Sequence, residues 1–576
     1  MNPTCAHCRQ PFTLEKEDLA FLDKIAPSFG GKKETIPPPT HCPLCRLQRR
    51  LAFRNNTHIY IRASSSTGKQ MFSMFPPDTP FPVIEKEEWW GGSWDARKYG
   101  QDIDFSRTFL DQFIELRNKV PHPSRAVVNG MNCDYCNNAS EIKDCYLVFN
   151  TSYAEGCISC ENVWGTRDCI DCTRAPDSEL CYDCVECSRC YQLQNSECCE
   201  NCSDGSFLLN CTSCKHCIGC VNLKHKEFCI FNEQKTKEEY ESFVRSLKLD
   251  SYSARQEFKK KVTAFWLQHP RPHTIMRRVE NTTGNFVFNA KDVHRSFYIK
   301  DGESIRYSSH LNDGTKDVMD NSFMGIRSEL LYECAICGYD SFNLLFCNYC
   351  WPNCSNCLYC WFCTGCDNCF GCVGLQKQKY CIFNKQYSKE EYETLVPKII
   401  EHMRKDGPAM NPSHSMTTPN NQVSGSWGEF FPMSVSTTSY NHSLASRYFP
   451  IPKEKALAAG LQWMDKDTHA PVSSSDIPDL PDQLPASDEP IVAKSNVSGR
   501  PFRITTQEIK RYRRFHAPLP RMTYDERMEE RSKSLGGVQL YESTCARSGK
   551  PILTTYPPDS PWIIWDRDVY EQEFGS

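Results

Sequence analysis

Cysteine dominates the chemistry open to this sequence. The 576-residue chain holds 36 cysteines, while 67 basic and 71 acidic side chains leave a formal net charge of only −4. Near its start, Cys5-Ala-His-Cys8 is answered by Cys42-Pro-Leu-Cys45. A CxxC turn aims two sulfurs at one point, and two such turns supply the four ligands of a closed tetrahedral site, the arrangement of a structural zinc. One zinc on Cys5, Cys8, Cys42 and Cys45 is therefore expected, with no open position for catalysis and with His7 outside the ligand set. Directly after the second turn come Arg46, Arg49, Arg50 and Arg54, and no acidic residue stands between Cys42 and Arg62. On a helix Arg46, Arg50 and Arg54 share one face, so the segment is expected to offer a local basic patch to the phosphates of RNA or DNA. The competing reading is a basic face paired with carboxylates of the protein itself, on a solenoid or in the acidic stretch 470–493.

The remaining cysteines are periodic. Cys133, Cys145, Cys157, Cys169 and Cys181 lie 12 residues apart, and Cys136, Cys160, Cys172 and Cys184 fall in a second column. A fixed period of this kind marks a repeat architecture. Twelve residues at about 3.3 Å each make a contour near 40 Å, enough for a narrow coil of two short strands and two turns. Residues 130–232 are thus expected to form a thin β-solenoid with small side chains inside, as at Ala139, Thr151, Val163 and Ala175. The same grammar, with a period of 12 to 13, starts coils at Val293, Ile305, Val318 and Leu331 and predicts a second solenoid over 285–384. Two blocks present CxxC in register on three coils: Cys157, Cys160, Cys169, Cys172, Cys181, Cys184 and then Cys187, Cys190, Cys199, Cys202, Cys211, Cys214. These thiols are open to three readings: small apolar packing, disulfides, or a further metal or iron–sulfur site.

The elements that must hold these residues can be placed along the chain. A zinc-ribbon module spans 1–90, a helical connector 91–129 with a helix over Phe105 to Val120, and a capping helix and connector 233–284. A second capping helix covers 385–405, a Pro/Ser-rich disordered linker 406–500 holds a small ordered island from Trp427 to Trp463, and a degenerate ribbon-like module closes the chain at 501–576. Thr236-Lys-Glu-Glu-Tyr and Ser388-Lys-Glu-Glu-Tyr are capping boxes, and each helix is expected to cover the last coil of its solenoid. The two solenoids end alike at an offset of 152, Cys229-Ile-Phe-Asn against Cys381-Ile-Phe-Asn. The two ends of the chain also match, Phe75-Pro-Pro-Asp against Tyr556-Pro-Pro-Asp at an offset of 481, which puts Thr523 and Glu526 where Cys42 and Cys45 stand. Cys545 and Ser548 similarly face Ser64 and Thr67.

No GxSxG, GxxxxGK[ST], HExxH or GxGxxG occurs, so a non-enzymatic protein is expected. Its partners would be RNA or DNA through the basic segment, or other proteins. No apolar run is long enough to span a membrane and no signal peptide opens the chain, so a cytoplasmic location is expected, where thiols stay reduced. The fold class is mainly β: two short-coil β-solenoids flanked by zinc-ribbon-like modules.

The paired CxxC turns with Pro38-Pro-Thr-His-Cys42-Pro-Leu-Cys45-Arg-Leu-Gln-Arg-Arg50, followed by cysteine-rich coils carrying Cys-Ile-Phe-Asn and Lys-Glu-Glu-Tyr, resemble a zinc-ribbon and cysteine-repeat family found mainly in candidate phyla radiation bacteria. The resemblance implies a bacterial cytosolic protein with a ribbon zinc on Cys5, Cys8, Cys42 and Cys45, and brings no activity with it. The chain departs from that family's pattern at Ser64, Thr67, Thr523 and Glu526, where the pattern implies thiols.

Overall fold

Inside the repeat regions every third side chain points into the core. The computed structural model, which describes residues 1–406, 426–465 and 477–575, shows why. In the triplet Arg167-Asp168-Cys169 the first residue makes parallel bridges to Glu155 and Glu179, the second turns the chain at φ 53°, and the third is fully buried. Four such triplets close one 12-residue coil, so the coil has four corners rather than the two strands and two turns expected from its contour length. The physical reason lies in the corner residues. A left-handed φ is tolerated best by Asn, Asp and Gly, and Asp168, Asp171, Asp177, Asp183, Asn195, Asn201, Asp204 and Asn210 all occupy it. Their side chains also stack from coil to coil: the Asn195 amide donates to Asp183 at 2.6 Å, and Asn210 to Asn222 at 3.4 Å. Gly219 and Gly371, 152 residues apart, sit at equivalent corners with φ 70° and 62°; a Cβ on either would lie 3.0 or 2.9 Å from the ring of Phe231 or Phe383.

The chain divides into two compact units, and each joins a terminal module to the solenoid distant from it in sequence. One comprises Met1–Arg125, Thr274–Asp465 and Val538–Leu540; the other comprises Ala126–His273, Lys466–Gly537 and Tyr541–Ser576. In the first unit the helices are α1 (Lys16–Ile25), α2 (Pro43–Leu51), α3 (Lys86–Trp90), α4 (Phe109–Lys119), α7 (Lys389–Lys405), α8 (Leu444–Tyr448) and α9 (Lys453–Ala458). Its coils keep the expected register, Val293 beside Ile305, Ile305 beside Val318, and Val318 beside Leu331. The ladder continues through Leu344, Cys357, Cys369 and Cys381. The Ser388 capping box starts α7, and Tyr392 packs edge-on against Tyr380 of the last coil with ring centroids 5.8 Å apart. The island beginning at Trp427 packs as expected: Phe430 and Phe431 lie 5.1 and 6.5 Å from the ring of Phe53. Helix α4 starts at Phe109 with Thr108 as its cap, not at Phe105, which is 45 % exposed and outside the helix.

In the second unit the helices are α5 (Lys237–Ser246), α6 (Tyr252–Trp266), α10 (Thr506–Arg514), α11 (Tyr524–Ser532) and α12 (Arg567–Phe574). The solenoid core is built from Cys157, Cys160, Val163, Cys169, Cys172, Ala175 and their successors, the small residues expected. The Thr236 capping box starts α5, and the α5–α6 pair places Tyr240, Phe258 and Val262 over Phe207, Ile218 and Ile230 of the closing coils. One expectation is corrected here. Composition predicts a linker over 477–500, yet Asp482 accepts hydrogen bonds from Ser251 and Ser253 at the start of α6, and Ile491–Lys494 pairs with Pro501–Ile504 in a hairpin. The terminal module therefore begins ten residues before 501. A carboxylate at a helix start satisfies otherwise orphan N–H groups, which outweighs the disorder that Pro-rich composition suggests. The expected linker at 407–425 and 466–476 lies outside the described residues.

Candidate metal centre

Two local structures bring the first four cysteines together. Cys5-Ala-His-Cys8 is a tight turn in which the Cys5 amide donates to the carbonyl of Gln10 at 2.9 Å and the Arg9 amide donates back to Cys5 at 3.1 Å, with Arg9 at φ 63°. The Ala6 amide ties this turn to the carbonyl of Thr40 at 3.0 Å. Cys42 is the residue capping α2, Pro43 occupies its first position, and Cys45 follows on the first turn. Pro at that position suits a helix start, having no N–H to leave unpaired.

The four Sγ atoms lie within 4.8 Å of one another. Cys8 and Cys42 are 3.8 Å apart, which is the edge of a tetrahedron with metal–sulfur bonds of about 2.3 Å. Cys5 and Cys45 are buried, Cys42 is half-buried and Cys8 is exposed, and the Cys42 amide donates to the Cys5 sulfur at 3.3 Å. The Cys45 thiol, by hydrogen bonding to Cys42, holds the Cys42 thiol down to about 5 against the opposing effect of burial, while the same bond pushes Cys45 up. Close sulfurs without a cation thus settle on sharing protons, whereas a divalent ion would take all four as thiolates. The donor set, spacing and amide-to-sulfur bond fit a metal ion. Among the described residues no other group of three or more His, Cys, Asp or Glu side chains brings its ligand atoms this close.

The twelve solenoid cysteines named from the sequence do not converge in this way. Cys157, Cys160, Cys169, Cys172, Cys181, Cys184, Cys187, Cys190, Cys199, Cys202, Cys211 and Cys214 are all buried and all free of disulfides. Most have two carbonyls within reach of the one S–H, as Cys184 has those of Tyr182 and Leu193, both at 3.4 Å. The i, i+3 spacing that looks like a chelating hook is here the distance between successive corners.

The basic segment requires the clearest correction. Arg46, Arg49, Arg50 and Arg54 are 1, 3, 0 and 1 % exposed, so they present no patch to a phosphate backbone. Helix α2 lies on the solenoid of its own unit. Arg46 Nε is 2.7 Å from Asp320, and Arg50 Nη1 is 3.0 Å from the same carboxylate. Arg49 bridges Glu333 at 2.6 Å and Glu429 at 2.7 Å, and Arg54 lies over the ring of Phe323 at 4.0 Å. Burial pushes Glu333 up to about 7 against the pull of Arg49, while for Glu429 the opposing effect of burial is outweighed by Arg49, His41 and Thr40, which bring it down to about 2. The partners are thus solenoid corners and the island.

The second unit repeats this docking, which the sequence reading missed. Arg527 and Arg531 stand 481 residues after Arg46 and Arg50, on α11. Arg527 Nε meets Asp171 at 2.7 Å and Arg531 Nε meets Thr173 at 3.2 Å, as Arg46 Nε meets Asp320 and Arg50 Nε meets Ser322 at 3.1 Å. The backbone acceptor is also shared, Ser159 for Arg531 at 3.1 Å and Tyr307 for Arg50 at 3.2 Å. The offset that aligns the prolines already aligns these arginines; the acidic corners that receive them could not be found without the coil geometry.

No protein-family model matches the chain, and no curated protein matches it. A comparison with solved structures returns a crystal structure of a proposed acetyltransferase from Desulfovibrio desulfuricans G20, 6 % identical, over 50 % of this chain and 73 % of that one, at a TM-score of 0.09, too low to carry any argument.

Proposed function

We propose that this protein is a non-enzymatic scaffold for protein partners, built as two copies of one module-on-solenoid unit and closed at its N-terminal module by a single structural zinc. The observation that carries the reading is the closed Cys5, Cys8, Cys42 and Cys45 group, two of whose sulfurs, Cys42 and Cys45, sit on the cap and first turn of the same helix whose arginines enter the solenoid corners. A metal there fixes the start of α2 and so aims Arg46, Arg49 and Arg50 at Asp320 and Glu333. A closed tetrathiolate supplies folding energy, not a reaction centre. A scaffold of proteins is favoured over nucleic-acid binding through this segment because its guanidinium groups are engaged inside the protein. The 36 cysteines, none in a disulfide, suit a reducing cytosol.

The test is elemental analysis of the full chain purified under reducing conditions. One zinc per chain is expected, lost in Cys42→Ser. A chain without metal, or a Cys42→Ser protein that keeps its full complement, overturns the reading.

A further inference from the structure

Among the described residues the hairpin that carries Cys5 and Cys8 occurs four times. In the other three, Ser64, Ser495 and Cys545 take the place of Cys5, and their amides donate to Lys69, Arg500 and Lys550 at 2.8, 2.9 and 2.9 Å. The amides of Gly68, Gly499 and Gly549 return to the same three residues at 3.0 Å each, with φ of 72°, 71° and 72° where Arg9 has 63°. The next amide in each turn reaches across to a second segment: Ser65 to Val83 at 2.8 Å, Asn496 to Arg521 at 2.9 Å and Ala546 to Ile564 at 2.9 Å, as Ala6 reaches Thr40. Each of those acceptors lies two residues before a helix cap: Cys42 of α2, Glu85 of α3, Thr523 of α11 and Asp566 of α12. The Asp566 amide even donates to the Cys545 sulfur at 3.1 Å, as that of Cys42 does to Cys5.

We infer that these are four copies of one metal-knuckle fold, of which the first alone keeps its ion, and that in the third the carboxylate of Glu526 replaces the ion. The third knuckle places Ser495, Ser498, Thr523 and Glu526 on the four ligand positions. There Ser495 Oγ donates to Glu526 at 2.5 Å and the Thr523 amide donates to the same oxygen at 2.9 Å. Burial raises the Glu526 carboxyl, but the hydroxyls of Ser495, Ser498 and Thr523 outweigh it and hold the carboxyl below its ordinary range, so it stays an anion that accepts from both knuckle serines. The second knuckle uses the same device: Ser64 and Thr67 donate to Glu85 at 2.5 and 2.6 Å. An ion joining four thiolates and a carboxylate joining hydroxyls and an amide perform one mechanical task, fixing the knuckle to the start of a helix. For the first and third knuckles that helix, α2 or α11, is the one whose arginines reach a solenoid corner.

The inference rests on the zinc reading of the first knuckle. The test restores thiols in the full chain with S495C/S498C/T523C/E526C and titrates it with Co(II) alone under reducing conditions. Two ions should bind where the wild type binds one, with the thiolate-to-cobalt charge-transfer band doubled; a variant that stays at the wild-type count overturns the inference. Should that variant not accumulate in soluble form, limited proteolysis decides. Chelation of the wild type should open residues 1–53 and leave 491–535 resistant, while Glu526→Ala should open 491–535 with the metal still bound. Cleavage of 491–535 on chelation, or unchanged resistance in Glu526→Ala, overturns it. A wild-type chain without metal instead sinks the reading of the first knuckle and leaves the Glu526→Ala comparison standing.

Discussion

At the scale of single residues, one sulfur separates a pinned helix from a loose one. Structural zinc in small thiolate domains contributes about 10–16 kcal/mol of apparent binding energy, so Cys42→Ser should release the metal and open the N-terminal module to proteases while the solenoids stay resistant. Digestion mapped by mass spectrometry reads this directly. A second residue tunes acid stability. His122 is fully buried against Phe81, Phe75 and Phe362, and burial, helped by Arg117, lowers its pKa to about 3. Because the folded value lies below the unfolded one of about 6.5, the neutral ring contributes stability that is complete above pH 6.5 and is lost as pH falls towards 3. At about 1.4 kcal/mol per unit this is on the order of 5 kcal/mol. Thermal melts across that window should show a flatter acid limb in His122→Phe than in the wild type.

At the scale of elements, the two docked helices invite the same experiment twice. Removing one partner of a buried ion pair costs about 3–5 kcal/mol, because the other charge is left unpaired. Arg46 stays on Asp320 and Arg527 on Asp171, so Arg50→Ala should destabilise the first unit, and Arg531→Ala the second, by less than that full cost, each read by denaturant melts of the full chain followed by proteolysis of the affected module. Equal melts for Arg50→Ala and the wild type would show that α2 is held by its apolar residues alone. The coil corners make a further prediction. Gln192 is exposed and turns the chain at φ 51°. A β-branched residue is disfavoured there by about 1–2 kcal/mol, whereas glycine is free of that penalty. Gln192→Val should lower and Gln192→Gly should raise the stability of its unit, the difference being visible in the melting midpoint.

At the scale of the whole molecule, the thiols report on folding. Of 36 cysteines only Cys8 is exposed and only Cys42 and Cys198 are half-buried; the rest are closed inside. A thiol reagent applied to the native, metal-free chain should quickly modify these three together with Cys5 and Cys45, whose module opens without its ion, and should reach the full set only in denaturant. Rapid native labelling of many more would mean that the coils open without global unfolding. Among the described residues no helix is long and apolar enough to cross a membrane.

The repeat itself was legible in the chain. A core one side chain wide accepts only small residues, so Cys at every twelfth position announces the coil, and Ala139 and Val163 fill it where Cys is missing. The four thiols of the first knuckle were legible for a similar reason: two local turns determine their pairing. What the chain did not disclose is the burial of its arginines. Charge at Arg46, Arg49 and Arg50 reads as surface because an isolated guanidinium is costly to bury, and much of that cost is offset by Asp320 and Glu333, more than 250 residues away in the sequence. Nor could spacing distinguish an i, i+3 hook that grips an ion from one that turns a corner. Both place cysteines three apart; only the fold decides whether the next sulfurs approach from a facing helix cap, as at Cys42 and Cys45, or stack along a coil axis, as at Cys169 and Cys181.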